Sequence, residues 1–275
     1  DEEGSLIYGE CKIPGQSEKE LFISTYICHP NLANNELSGP CVTTQLANWL
    51  AAKNHRRYTY RIVYAPETIG ALAYIDANLA TLKDRVRAAF NITCVGDDRT
   101  FSFMPTRTES TLVDRVGEHV LHHLEPNFDK YDFTERGSDE RQYNSPRVDL
   151  PIVSLMRSKY GTYPEYHTSH DNMDIISPSG LAGGYAATRR AIQCLEENTC
   201  PTSQVRGEPN LGSRDLYPTL SREGKDRNQG AILLDILAYS DGTTDLLDIA
   251  NKLDIPMWEI LDYANILVEH DLIEC

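Results

Sequence analysis

The feature that constrains the fold most is a strand-like run that passes through a polar loop into a helix-like run. Residues 20–28 are mostly apolar, β-branched or aromatic, which is typical of a buried strand. A polar loop, HPNLANNE, follows, and the helix-like run covers residues 39–53. Ligands of open α/β sheets bind at the carboxyl ends of such strands. His29, at this position, is therefore a candidate ligand, and a core histidine is the alternative.

The first 200 residues repeat this alternation of strand-like and helix-like segments. The predicted strands are residues 5–12, 20–28, 59–65, 87–95 and 151–156. The predicted helices are residues 39–53, 68–79, 108–124 and 178–197. We therefore expect an α/β fold, a three-layer αβα sandwich with a mixed, mainly parallel sheet. The first two strands flank PGQSEKE, which predicts an opening hairpin that makes the sheet mixed.

The composition changes after residue 200. Residues 201–227 are rich in Pro, Gly, Ser and charge, which indicates a linker between a domain of residues 1–200 and a small module of residues 228–275. The module contains three predicted helices and a final strand, which are residues 228–239, 243–252 and 256–269 and the sequence LIEC. This order is typical of a winged helix.

Charge and hydrophobicity limit the partners. The net charge is −15 and helix 256–269 has no Lys or Arg, so we expect no nucleic-acid binding. No apolar run approaches the roughly 18 residues of a membrane span, so we expect no membrane partner. For the C-terminal module, packing in a homo-oligomer and binding of a protein partner both stay open.

The cysteines and the first residues predict the setting of the chain. Seven cysteines without a CxxC pair are typical of reduced thiols, so we expect a cytoplasmic protein. The opening sequence DEEGSLIYGECKIPG has the character of the middle of a domain. We therefore expect the chain to be a fragment that lacks its N-terminal part.

Several loops carry residues suited to metal-dependent hydrolysis, which needs fixed ligands and a carboxylate that takes a proton from water. One loop holds His29, Asn35 and Glu36. Glu67 follows the apolar strand 59–65, where a raised pKa would suit a general base, although an ordinary helix-start glutamate is the alternative. Asp97, after the next strand, is a candidate ligand, a candidate partner of a ligand, or a turn former.

The strongest local signal is the sequence YPEYHTSHDN, because two histidines and nearby carboxylates are hard to explain as a solvated surface. Its candidate site residues are Tyr166, His167, His170 and Asp171. Upstream, GSDERQY supplies Asp139 and Arg141. Arg141 is suited to bind a substrate carboxylate through two hydrogen bonds, or to pair with a neighbouring acid.

Taken together, NELSG, PETIG, GSDERQY and YHTSHD, in this order after His29, resemble the zinc aminopeptidase family that also includes glutaminyl cyclases. The resemblance covers about residues 20–180. It is closer still to the bacterial aminopeptidase-like proteins found with polysaccharide and natural-product biosynthesis genes, which carry a C-terminal winged-helix-like module. This resemblance implies an aminopeptidase-like domain in residues 1–200, zinc as the cofactor and a peptide or small amide as the substrate.

Three positions depart from the two-zinc pattern of that family. Asn35 falls where the family has a metal-bridging Asp, and Thr68 and Thr93 fall where it has carboxylate ligands. Neutral side chains cannot offset the repulsion between two adjacent dications, so we predict a single zinc. The predicted ligands are His29, Glu36 and His167, and the predicted general base is Glu67. The residues predicted to bind substrate or to support the ligands are Asn35, Asp97, Asp139, Arg141, Tyr166, His170 and Asp171.

The predicted function is a zinc-dependent hydrolase of peptide or amide bonds, of the aminopeptidase kind. An acyl transferase or cyclase at the same site is one alternative. A catalytically degenerate peptidase fold that binds a partner is another, and the missing carboxylates motivate it.

Overall fold

The structure, a computed structural model, describes residues 3–214, 216 and 229–275. Residues 215 and 217–227 of the predicted linker lie outside the described part, as does residue 228, the predicted start of a helix. The chain divides into two compact units, Asp1–Ile192 and Gln193–Cys275.

A seven-stranded sheet forms the framework of the first unit. Its strands are β1 (Gly9–Ile13), β2 (Glu20–Tyr26), β3 (Thr59–Ala65), β4 (Val86–Asn91), β5 (Ser102–Met104), β6 (Asp129–Lys130) and β7 (Ile152–Met156), in the spatial order β1-β3-β2-β4-β7-β5-β6. The central strands β3, β2, β4 and β7 are parallel. β1 runs antiparallel to β3, and β5 runs antiparallel to β7. The prediction of a mixed, mainly parallel sheet is confirmed.

The predicted hairpin between the first two strands is wrong, because β1 pairs with β3. The connection after β1 hydrogen-bonds to the chain that precedes β3, with the Gln16 N–H donating to the carbonyl of Arg56 at 2.9 Å. Every residue of β2 is buried, whereas β1 is mostly exposed. A strand that is buried on both faces suits the middle of a sheet, and the exposed strand suits its edge.

Helices cover both faces of this sheet. They are α1 (Ser38–Ala52), α2 (Ile69–Arg85), α3 (Leu112–Leu124), α4 (Glu140–Tyr143) and α5 (Pro178–Glu197). On one face of β2, the Phe22 ring lies 6.0 Å from Tyr74 of α2 and 5.1 Å from Tyr143 of α4, between centroids. Thr25 points to the opposite face, because strand side chains alternate. There Gly39 of α1 comes so close that an added Cβ would lie 2.7 Å from Thr25 Oγ1. The predicted three-layer sandwich is confirmed.

The second unit is a small helical module with a two-stranded ribbon. It contains β8 (Thr202–Ser203), α6 (Gln229–Ala238), α7 (Leu246–Leu253), α8 (Met257–Glu269) and β9 (Ile273–Glu274). Leu233, Ile249 and Ile260, one from each helix, are fully buried. The winged-helix prediction is confirmed, and the predicted strand LIEC contains β9. β9 pairs with β8, which lies within the predicted linker, so this unit begins before residue 228.

None of the helices in the described part of the chain has both the length and the hydrophobicity that crossing a membrane requires.

Candidate active site

The predicted site residues gather where adjacent parallel strands end. His29 follows β2, Glu67 follows β3 and Asp97 follows β4. Because β3, β2 and β4 are parallel neighbours, their carboxyl ends lie at one edge of the sheet. This is the edge at which open α/β sheets bind ligands.

Glu36 holds the His29 imidazole in place. After β2 the chain makes one π-helical turn, Ala33–Leu37, which buries Glu36 to 1 % exposure. Glu36 Oε1 lies 2.9 Å from His29 Nδ1 and accepts from Asn35 Nδ2 at 2.9 Å, and Oε2 accepts the Cys28 N–H at 2.5 Å. When Nδ1 donates to the carboxylate, His29 Nε2 keeps a lone pair for a metal. Both oxygens of Glu36, which the sequence predicts as a ligand, are thus already engaged.

His167 lies beside His29, although the two come from distant loops. Their ring centroids are 4.3 Å apart, and Tyr166 stacks on His167 at 3.9 Å with 15° between the ring planes. Partial burial, and next the nearby His29, lower the pKa of His167, which favours the neutral ring that binds metals. A cleft of about 480 Å³ opens beside both rings, with Asn31 and Leu32 in its wall.

Glu67 belongs to a strained turn at the end of β3. The Ile69 N–H donates to the Glu67 carbonyl at 2.7 Å and closes a γ-turn about Thr68, whose φ of 61° and ψ of −68° are rare. Asp139 Oδ1 accepts the Thr68 N–H at 2.7 Å, and Arg141 Nη2 donates to Thr68 Oγ1 at 2.9 Å. Burial, and next a neighbouring carboxylate, raise the pKa of Glu67. A raised pKa suits a carboxylate that must accept a proton.

Asp139 is fully buried beneath this turn. Its Oδ2 atom has no hydrogen-bond partner among the residues that the structure describes. Burial raises the pKa of Asp139 from 3.8 to about 7. The carboxyl group next to the predicted base therefore changes charge near neutral pH.

Two other predicted residues, Asp97 and Asp171, hold loops together. Asp171 Oδ1 accepts the Asn34 N–H at 2.6 Å and Oδ2 accepts the Asn35 N–H at 3.0 Å. Asp97 Oδ2 accepts from Asn34 Nδ2 at 3.1 Å and from the Ser158 N–H at 3.0 Å. Both aspartates therefore fix the loop that carries His29, from two directions.

The structure separates one predicted residue from the rest. His170 is exposed and lines a different hollow, together with Arg99 and Glu165. Arg141 is also exposed, but its guanidinium reaches the turn at Thr68. Of His170 and Arg141, only Arg141 contacts the turn that carries Glu67.

Asn35 and Thr93, two of the three neutral residues at positions where carboxylates were expected, bond to each other. Tyr26 Oη donates to Asn35 Oδ1 at 3.1 Å and lies 2.6 Å from Thr93 Oγ1. Thr93 Oγ1 donates to the Asn35 carbonyl at 3.2 Å. The side chains of Tyr26, Asn35 and Thr93 are all buried. This position holds an uncharged hydrogen-bond network, which offers no carboxylate to bridge two metals.

Cys28 lies close to His29 and Glu67, and the sequence analysis did not predict it as a site residue. Its Sγ atom, a ring nitrogen of His29 and a carboxylate oxygen of Glu67 all lie within 4.8 Å of one another. Its place directly before His29 was the signal in the sequence, although Cys28 belongs to no CxxC pair. A thiol, an imidazole and a carboxylate suit zinc, whereas magnesium and calcium prefer oxygen ligands alone. The donor set of the described residues therefore fits zinc.

Two family models match the chain. The family described as "Domain of unknown function (DUF4910)" matches residues 1–198, and the one described as "winged helix-turn-helix" matches residues 198–275. A relative from Clostridium acetobutylicum, named "Putative polysaccharide biosynthesis protein with aminopeptidase-like domain", is 36% identical over 274 residues. The match covers 99% of this chain and 62% of the relative, so this chain spans about three fifths of the relative's length.

Solved structures share the fold. The crystal structure of a "putative peptidase" from Clostridium acetobutylicum has a TM-score of 0.84 at 34% identity and covers 97% of this chain and 60% of that one. A zinc aminopeptidase from Bacillus subtilis has a TM-score of 0.53 at 18% identity, covering 68% and 48%. A glutaminyl cyclase from Porphyromonas gingivalis has a TM-score of 0.56 at 14% identity, covering 68% and 77%. At such identities the last two show the fold alone. The motif resemblance is confirmed: the domain is aminopeptidase-like.

Proposed function

Because the chain belongs to the family described as "Domain of unknown function (DUF4910)", and because its fold is aminopeptidase-like, we propose that it is a zinc-dependent hydrolase of peptide or amide bonds. One observation carries the proposal. The His29 and His167 rings lie 4.3 Å apart between centroids, and a carboxylate oxygen of Glu67 lies within 4.8 Å of a ring nitrogen of His29. Metal ligands next to a carboxylate base are what metal-assisted hydrolysis requires.

His29 and His167 are the residues that hold the zinc in this proposal, and a single metal is expected. Glu36, which the sequence predicts as a third ligand, is assigned to orient His29, since its oxygens bind His29 Nδ1 and the Cys28 N–H. When bound, zinc supplies Lewis acidity toward water and the substrate carbonyl. The uncharged pair of Asn35 and Thr93 supports one metal over two.

Glu67 is the general base of the proposed reaction. It takes a proton from the attacking water and passes it to the leaving amine, and its raised pKa favours the first of these transfers. Asp139 and Arg141 hold the Thr68 turn from two sides, which fixes the adjacent carboxylate. The exposed Arg141 guanidinium has further N–H donors besides the one that binds Thr68, and these are assigned to bind the substrate.

The cleft beside His29 and His167 is the proposed substrate site. Tyr166 stacks on His167, which lines this cleft. The volume of about 480 Å³ accommodates a small peptide or amide. The name of the Clostridium relative mentions polysaccharide biosynthesis, so amides of amino sugars belong in the substrate panel beside peptides.

The test compares wild-type protein with Glu67→Gln and with Glu118→Gln, a control on α3 whose side chain is 41% exposed and pairs with Lys130. After growth in zinc-replete medium, all three should hold about one zinc per chain by elemental analysis. Hydrolysis of the substrate panel should fall by about 10²–10⁴-fold in Glu67→Gln alone, the usual contribution of a general base. His167→Ala should release the metal. A wild-type protein that retains no zinc would refute the proposal.

A second candidate function is partner binding by a catalytically degenerate fold. The Tyr26–Asn35–Thr93 network favours it, because neutral groups there are already satisfied by one another. The same zinc measurement separates the two functions, since this candidate needs no metal.

A further inference from the structure

Cys28, His29 and Glu67 form one cluster, and Cys28 is the member that has no role in the proposed mechanism. We infer that the Cys28 thiolate is a protein ligand of the zinc beside His29, which leaves Glu67 free to act as the base. The inference rests on the proposed function. It goes beyond it by assigning a sulfur ligand to the site.

Distance supports this assignment. In zinc sites the Zn–S bond is about 2.3 Å and the Zn–N bond about 2.0–2.1 Å, so two ligand atoms of one ion stand roughly 3.5 Å apart. Cys28 Sγ and a ring nitrogen of His29 lie within 4.8 Å of each other. Because Cys28 is exposed, its side chain has room to turn towards the ring. Glu67, within the same 4.8 Å of both, stays in reach of a water between them.

The backbone fixes Cys28 where a ligand must be. The Ile27 N–H donates to the Ala65 carbonyl at 3.1 Å, so strand pairing continues up to the residue before Cys28. The Cys28 N–H then donates to Glu36 Oε2, on the same buried carboxylate that contacts His29 Nδ1. One fixed carboxylate thus orients two consecutive residues, and supporting groups of this kind are typical of metal sites.

Charge supports the assignment as well. Asn35, Thr68 and Thr93 supply no negative charge at the positions where carboxylates are expected. Two neutral imidazoles would leave the full charge of a dication in a half-buried site, whereas a thiolate ligand halves it. Sulfur also favours zinc over magnesium, calcium and manganese, which prefer oxygen.

The test uses Co²⁺ titration of the zinc-stripped 275-residue chain, because cobalt bound to a thiolate shows a near-ultraviolet charge-transfer band. Wild type is compared with Cys28→Ser and with Cys11→Ser, an exposed cysteine on β1. The band should appear in wild type and Cys11→Ser and be absent from Cys28→Ser. Cobalt affinity should fall in Cys28→Ser by at least about tenfold, since losing even a supporting partner costs about 10- to 100-fold.

A second measurement needs no variant of the site. In wild type, added zinc should protect Cys28 from alkylation, as mapped by peptide mass spectrometry, and leave Cys11 reactive. Cobalt binding without the sulfur band, or a band that persists in Cys28→Ser, would overturn the role of Cys28 and leave the proposed hydrolase standing. Failure to bind either metal would overturn both.

Discussion

Thr68 occupies a backbone conformation that β-branched residues rarely adopt, and it does so next to the proposed base. With φ of 61° and ψ of −68°, its Cβ crowds the peptide that follows. Such outliers cost about 1–3 kcal/mol each and cluster at functional sites. Here the hydrogen bonds to Asp139 and Arg141 hold the turn closed. The strained turn at Thr68 therefore serves to position Glu67.

We predict that Thr68→Gly is more stable than Thr68→Ala by about 1 kcal/mol. Both variants lose the hydroxyl that accepts from Arg141, so their difference isolates the Cβ at positive φ. At an ordinary negative φ the order is reversed, because glycine loses more backbone entropy on folding. Urea denaturation of the two variants measures the difference. A more stable Thr68→Ala would show that the turn is unstrained.

Asp139 should make stability depend on pH in the sense opposite to a salt-bridged carboxylate. Below 3.8 the group is protonated in both states, and as pH rises to about 7 the unfolded chain loses its proton first. Burial of the ionised form then destabilises the folded state, by up to about 4 kcal/mol above pH 7. Asp139→Asn should therefore gain free energy of unfolding relative to wild type between about pH 4 and pH 7.

The measurement is urea denaturation of both metal-free proteins at several pH values, and only the difference between them is used. Titrating groups that do not interact with Asp139 cancel in that difference. A difference that stays flat across the interval would mean that Asp139 is ionised throughout.

Which residues reach the site was partly predictable, and their roles were less so. His29 could be predicted because it stands in a polar loop after an apolar strand. His167 could be predicted because it stands in a polar loop beside tyrosines. Glu36 could not be identified as a hydrogen-bond partner of His29, because a single π-helical turn decides where its carboxylate points. His170, three residues after His167, faces another hollow for the same kind of local reason. Sequence spacing does not encode such rotations.

At the scale of elements, β2 and β3 are joined by a buried ion pair. Arg61 Nε donates to Glu20 Oε2 at 2.6 Å and Nη2 donates to Oε1 at 3.0 Å, with Glu20 0% and Arg61 3% exposed. Burial alone would raise the pKa of Glu20, but the hydrogen bonds and charge of Arg61 outweigh it and the pKa is lowered. The pair therefore ties two neighbouring strands at their start.

Replacing Glu20 by Gln should destabilise the protein by about 3 kcal/mol at neutral pH, because the buried Arg61 then keeps only the partly exposed Glu10 as a carboxylate partner. The folded-state pKa of Glu20 is below 4.5, so the contribution is present above that pH and is lost as pH falls further. The penalty of Glu20→Gln should accordingly shrink in acid.

Glu18→Gln is the matched control, since the Glu18 side chain is 85% exposed and pairs with Arg85 only at 3.5 Å. Exposed pairs contribute about 0–1 kcal/mol. Thermal or urea unfolding at pH 7 and pH 3.5 compares the two variants. Equal effects at pH 7 would show that burial adds nothing to the Glu20 pair.

Elements with strong local signals were predictable, and partner strands were not. The helix predicted at 108–124 is observed as α3, and Thr111 and Asp114 form a capping box that fixes its start. β5 and β6, of 3 and 2 residues, are too short to show a periodicity. The pairing of β1 with β3 depends on contacts about fifty residues apart, which turn residues such as those in PGQSEKE do not report.

For the whole molecule, composition predicted the two units better than their boundary. The stretch rich in Pro, Gly, Ser and charged residues begins at residue 201, whereas the second unit of the structure begins at Gln193. The difference arises because residues before 201 bond to the start of α7: Asn198 Oδ1 accepts the Leu247 N–H at 3.0 Å and the Thr199 carbonyl accepts the Leu246 N–H at 2.9 Å. Here too, contacts between residues far apart in the chain could not be predicted from the sequence.

The winged-helix module should not bind DNA, despite a fold that many DNA-binding proteins use. Its α8 contains no Lys or Arg and exposes Glu259, Asp262 and Glu269, in a chain of net charge −15. Phosphate neutralisation supplies nearly all non-specific affinity, so binding should be weaker than the usual 10⁻⁴–10⁻⁶ M range. Fluorescence anisotropy with a labelled duplex at low salt measures this. The triple variant Glu259→Lys, Asp262→Lys, Glu269→Lys should gain salt-dependent binding if α8 is presented as a recognition helix would be. Micromolar, salt-dependent binding by the wild-type chain would contradict the prediction and place the basic surface elsewhere.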